Sequence, residues 1–250
     1  MEKVKTVRKS DVVLWCVFLV FMFARITCTM SYWMLLSAIV TILGVVLLIS
    51  AKLPSKRLIV LSLVFALAVT FSYLAITDLG GVLLYSLSSG IPTFVCSLAV
   101  FSVMEKRDGF ELITNPKIKG IAIGIAAGLI LSCINAIMPG DRGETGFTIP
   151  KIVVALSPGI FEEIALRAIF MAFCIWYAKG EKMSRFSAFT MYFMMVIPHT
   201  VAHGYDPVST IILAVLFGIP FALLQKKVDL TSAMLSHYIV DAIRFIFLGW

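Results

Sequence analysis

Apolar runs of bilayer-crossing length follow one another along almost the whole chain, separated only by short basic or turn-forming segments. A helix needs about 20 predominantly apolar residues to cross the hydrocarbon of a membrane. Segments 12–30, 31–51, 58–77, 82–104, 120–138, 152–178, 186–203, 208–225 and 230–250 each meet that requirement. The boundary between the first two is weakly marked, because 26–32 holds no charge. Only 14% of the 250 residues are charged, whereas an ordinary soluble domain carries about 25%. The pattern therefore predicts an all-α, polytopic transmembrane helix bundle of about eight to nine spans. Residues 12–24 look like a signal-peptide core after a basic start, but no small-residue cleavage site precedes the next apolar run, so they are read as an uncleaved first span.

A net charge of +7 raises the question of an anionic partner, and the placement of the charges answers it. Lys and Arg cluster in alternate segments: Lys3, Lys5, Arg8 and Lys9; Lys52, Lys56 and Arg57; Lys106, Arg107, Lys117 and Lys119; Lys179, Lys182 and Arg185; Lys226 and Lys227. Arg142 and Lys151 lie on the opposite loops, and Arg25, Arg167 and Arg244 within spans. This is the positive-inside pattern, which puts the N-terminus in the cytoplasm and the C-terminus outside. The partner that explains the charge is the lipid bilayer, and nucleic-acid binding is excluded.

Cys16, Cys28, Cys96, Cys133 and Cys174 all fall in apolar spans without C-x-x-C spacing, so they read as packing residues. The longest polar connections, 105–119 and 139–151, are too short to hold a core. The expected organisation is one integral membrane domain over 1–250, with the chemistry and a polar catalytic cavity in its C-terminal half, 151–250.

Three constellations stand there. Glu162, Glu163 and Arg167 follow Pro158 and Gly159, a pair able to break or start a helix. Ionisable groups at membrane depth are expensive and mark a functional interior. Glu163 and Arg167 share a helix face at i, i+4, so they are expected to pair and orient the site. Glu162 is then unpaired within its own helix, and a poorly solvated carboxylate suits acid–base work. The second constellation is His199 and His203, again at i, i+4, followed by a turn at 204–207. Two histidines so spaced can share a metal, but Thr200 stands where an H-E-x-x-H motif has its glutamate. The third is His237 and Asp241, in which Asp241 is expected to fix the tautomer of His237 and leave the other ring nitrogen for a ligand or substrate. Each pattern also has an ordinary structural explanation, as an ion pair, a packed imidazole or a helix-bridging hydrogen bond. Their joint occurrence is the stronger signal.

Glu-Glu-x-x-x-Arg, a histidine in the next span and His-x-x-x-Asp in a later one resemble the CAAX protease and bacteriocin-processing family of intramembrane proteases, similar to CAAX prenyl endopeptidases. The resemblance covers about 80 residues. It implies that Glu162 and His203 hold and activate the attacking water, that His237 and Asp241 polarise the scissile carbonyl, and that Glu163 and Arg167 orient the site. The chain departs from the pattern at His199, where the family usually has phenylalanine, and at Ala168, where glycine often follows the arginine.

The function expected is hydrolysis of a peptide bond in a small peptide, a lipid-modified C-terminus or a membrane-tethered precursor. Two versions stay open at this point. In one, Glu162, His203 and His237 hold a divalent metal such as zinc, with His199 as an additional ligand; in the other, glutamate activates water without metal. The alternative reading is a non-enzymatic transporter or immunity-type scaffold with a buried proton path, for which the interruptions at 90–92 and 218–220 offer a loose analogy to broken transporter helices. The loop charges place Glu162 nearer the non-cytoplasmic face, with a cavity reached from that side or laterally from lipid.

Overall fold

The structure is a computed structural model and describes residues 7–27, 31–106, 117–137, 143–179 and 181–249. Cys28 and Arg142, and residues 28–30 of the weak boundary at 26–32, lie outside the described residues. The architecture is all-α. The helices are α1 (Lys9–Thr27), α2 (Tyr32–Ala51), α3 (Lys56–Ser72), α4 (Leu79–Tyr85), α5 (Ile91–Met104), α6 (Lys117–Ile137), α7 (Ile149–Val154), α8 (Ile169–Ala178), α9 (Arg185–Ala202), α10 (Pro207–Leu213), α11 (Ile219–Lys227) and α12 (Leu230–Phe247). Several join through wider π turns, at Ser86–Gly90, Pro158–Glu162, Ile164–Ala168 and Ala214–Gly218, so that α4 with α5, and α10 with α11, run as single membrane-length rods.

Seven described segments are long and apolar enough to cross a membrane. Of the nine expected spans, 152–178 and 186–203 are not among them. The first is divided by π turns and carries Glu162, Glu163 and Arg167, and the second carries Pro198 and both histidines. The site has displaced the apolar residues that a plain span would hold. Pro158 and Gly159 do not break the chain there; they open a π turn within a continuing helical rod.

The core is built around α5 and the rod from Ile160 to Cys174, which are almost wholly covered by protein. Their neighbours α1, α2, α3 and α6 instead expose Ile, Leu, Val and Phe on their outer faces, as lipid-facing helices do. Cys96 and Cys174 pack inside as expected, but Cys16 and Cys133 are exposed; a small, weakly polar thiol can face lipid as readily as protein. Without water to drive apolar surfaces together, helices in a membrane associate through close packing, which small residues permit. The α6–α12 contact follows this rule. A Cβ on Gly124 would lie 2.8 Å from the Ser232 carbonyl oxygen, and one on Gly128 would lie 2.8 Å from Ile239 Cβ. On the other side of α12, a Cβ on Gly159 would meet Tyr238 Cβ at 2.9 Å. Three glycines thus let α12, which carries His237 and Asp241, settle against both α6 and the rod that carries Glu162.

Candidate active site

A π turn makes one residue more per turn than an α-helix and frees a backbone carbonyl from its usual partner. Glu162 closes the first π turn of the central rod and Glu163 sits between it and the second, and the Glu163 carbonyl accepts from Gln225 Nε2 of α11 at 2.9 Å. Gln225 is itself buried. The sequence reading passed over it as the polar end of a span, although a lone amide preceding Lys226 and Lys227 was the available signal.

Glu163 and Arg167 form the expected ion pair, fully covered by protein. Arg167 also donates from a terminal guanidinium nitrogen to His199 Nδ1 at 2.7 Å, and its guanidinium lies over the Phe221 ring at 5.3 Å. Arginine has donors only, so His199 Nδ1 is the acceptor and the proton of the neutral imidazole sits on Nε2. That nitrogen faces Glu162 Oε2 at 2.8 Å. The contact is close but off the N–H direction, leaving Nε2 without a well-aligned hydrogen bond. His199 is therefore tied to Arg167 through Nδ1 and lies against Glu162 on its Nε2 side, whereas the sequence offered it only as a spare ligand or an aromatic substitute.

His237 donates from Nδ1 to Glu163 Oε1 at 2.6 Å. Glu163 thus holds the proton on Nδ1, a partner that the i, i+4 spacing did not offer. Asp241 Oδ2 lies on the other side of the ring, 3.3 Å from Nε2, and Glu162 Oε2 lies 3.5 Å from the same nitrogen. The reason is positional: Glu163 comes from a separate rod pressed against α12 and reaches the ring edge that no residue of α12 occupies. Arg167 is 3.4 Å from Nδ1, but two donors face each other there and no hydrogen bond results. Phe221 stacks on the imidazole at 4.4 Å and fixes its plane.

His203 closes α9, beside Gly204 at a φ of +74° that suits glycine. Its ring is stacked on Tyr205 at 5.4 Å and meets the Trp33 edge at 4.9 Å. Glu162, His199 and His203 offer ligand atoms that all lie within 4.8 Å of one another. Among the described residues this is the group with the spacing a shared cation requires; it contains His199 where the sequence reading had His237. Beyond it, Asp206 caps α10 by accepting from the backbone N–H groups of Val208 and Ser209, at 2.9 and 3.2 Å. Hydrogen bonding to Ser209 holds its carboxyl below the ordinary carboxylate range.

Glu162, Arg167, His199, His203, His237 and Asp241 all line one cavity of about 580 Å³. The expectation of a cavity confined to the C-terminal half is corrected by the rest of its wall, which includes Trp33, Tyr73, Tyr85 and Ser89 from the first 100 residues. These carry no charge, and the hydroxyl-rich run 86–89 was the one sequence signal that could have drawn attention to them.

No curated protein and no solved structure matches the chain. Residues 145–243 match the model of a family described as Rce1-like, type II CAAX prenyl endopeptidase. Every acidic, basic and imidazole group of the cavity up to Asp241 falls within that segment. Over these residues the chain is similar to the Rce1-like family of type II CAAX prenyl endopeptidases, and its seven membrane-length apolar helices make it an integral membrane protein.

Proposed function

We propose that this protein is an intramembrane endopeptidase in which Glu162 activates a water molecule for attack on a peptide bond. The observation that carries the proposal is the meeting of Glu162 Oε2 with the Nε2 atoms of His199 and His237, at 2.8 and 3.5 Å, on the wall of a cavity large enough for a peptide segment. Glu162 takes a proton from water as the oxygen adds to the carbonyl carbon, and the carbonyl π pair moves onto oxygen. His203 helps hold that water. His237, oriented by Glu163 and Phe221, directs Nε2 at the carbonyl oxygen and donates to it when doubly protonated. Asp241, acceptor-only when ionised, keeps a proton on that nitrogen. Collapse of the adduct re-forms the carbonyl and breaks the C–N bond, and protonated Glu162 returns its proton to the leaving amine. General acid–base groups of this kind contribute about 10²- to 10⁴-fold each.

A resident divalent metal does not fit the donor set. Coordination through His199 Nε2 would require its proton to move to Nδ1, where it would face the Arg167 guanidinium. A cation would also sit close to that fixed positive charge. The mechanism therefore has no step through a metal. The substrate class is a small peptide, a lipid-modified C-terminus or a membrane-tethered precursor. The loop charges support a cytoplasmic N-terminus and a cavity reached from the other face or laterally from lipid. The test compares the membrane peptidome of cells carrying the wild type with that of cells carrying Glu162→Ala. Peptides released only by the wild type are expected, and indistinguishable peptidomes would refute the proposal.

A further inference from the structure

Cleavage of an amide passes through an oxyanion, which needs hydrogen-bond donors aimed at it. Among the ionisable groups that meet Glu162 they are few. Glu162 and Asp241 accept when ionised, Arg167 is engaged by Glu163 and His199, and His237 has one nitrogen left for the cavity. Tyr73 also lines the cavity, from the 3₁₀ turn that follows α3. Its ring is clamped flat against Tyr85, with centroids 3.7 Å apart and planes within 4°. Its hydroxyl is 2.8 Å from Oγ of Ser157, a buried residue one π turn before Glu162. Glu162 is also close enough for its charge to act on that hydroxyl. Ser89, which also lines the cavity, is a second hydroxyl partner of the phenol; with Ser157 and Ser89 donating to the phenol oxygen, the Tyr73 proton points into the cavity.

We propose that Tyr73 is a catalytic residue whose hydroxyl donates to the oxygen of the scissile carbonyl and remains on it as the oxyanion forms. The inference rests on the protease reading above. It assigns to the half of the chain outside the family match the second donor that Asp241 cannot supply. Tyr73 keeps its proton throughout, so the reaction balances as written for Glu162 and water.

The test uses the full chain in lipid nanodiscs and a panel of internally quenched membrane peptides, farnesylated and unmodified, with kcat and KM measured separately. Tyr73→Phe retains the stack on Tyr85 and removes only the hydroxyl. Its kcat should fall about 10²- to 10³-fold, the usual effect of one oxyanion donor, with KM unchanged and the protein folded by thermal unfolding. Undiminished kcat in Tyr73→Phe overturns the assignment, and so does a loss that appears in KM alone, because an oxyanion donor acts on kcat. Should Tyr73→Phe accumulate poorly, Ser157→Ala, which removes the group orienting the phenol, decides the matter: kcat should drop several-fold at constant KM, and an unaltered kcat overturns the proposal. If wild type and Glu162→Ala are equally inert on the whole panel, the protease reading itself fails and this assignment falls with it.

Discussion

Replacing Arg167 by alanine would leave the Glu163 carboxylate without its cation in a site from which solvent is excluded, since Glu163 is 0% and Arg167 1% exposed. Breaking a buried pair on one side costs roughly 3–5 kcal/mol, because the remaining charge is uncompensated. The loss of the hydrogen bond to His199 and of the contact with Phe221 adds about 1–2 kcal/mol. Against a total stability of about 5–15 kcal/mol for a typical domain, most of the folded population is at risk, so Arg167→Ala should lower accumulation as well as turnover. The charge argument makes a second statement that a size argument does not. Glu163→Gln combined with Arg167→Met removes both charges, keeps an acceptor for His237 Nδ1–H and fills much of the volume. This double variant should be more stable than Arg167→Ala by about 2 kcal/mol or more, read as the midpoint of unfolding in detergent alongside membrane-fraction yield. A double variant no more stable than the single would refute the reasoning.

Other outcomes follow from the same geometry. His199→Phe, which restores the residue the family usually carries, should reduce turnover about 10- to 100-fold, because it frees Arg167 and removes a contact to Glu162; full activity in a cleavage assay would reduce His199 to a packing residue. Dialysis against a chelator should leave turnover unchanged, and activity that is lost and then restored by zinc would reinstate the metal. Gly128→Ala should destabilise the protein by about 1–3 kcal/mol and impair cleavage, since its Cβ would sit 2.8 Å from Ile239 Cβ and push α12 away; an unchanged melting temperature would contradict the close packing. A cysteine at Asp206, with native cysteines removed, should react with an impermeant thiol reagent on intact cells, and reaction only after permeabilisation would reverse the orientation.

Much of this molecule was legible without coordinates, for a physical reason. The bilayer imposes length and polarity on each segment independently of its neighbours, so the all-α membrane architecture and the concentration of ionisable side chains in 162–241 could be read one run at a time. The Glu163–Arg167 pair was legible because i, i+4 proximity is local. Contacts between distant segments were not. Which ring edge of His237 meets which carboxylate depends on how the rod bearing Glu163 lies against α12, 74 residues away in sequence, and the sequence offered only the local partner, Asp241. Likewise α9 presents both His199 and His203 on one face, but its rotation against Arg167 decides that His199 is the one tied down.

The sequence by itself determined the solvent this protein folds in, its helical class and the residue types of its chemistry, because charge and hydropathy act residue by residue. The tertiary structure alone decided the tautomers, the wider turns that bring Glu162 and Glu163 to one site, and the contribution of Trp33 and Tyr73 to the cavity wall. These depend on the direction in which a side chain points once several rods have packed. In a bundle held by close approach at a few glycines, that direction is set by neighbours far away in the chain.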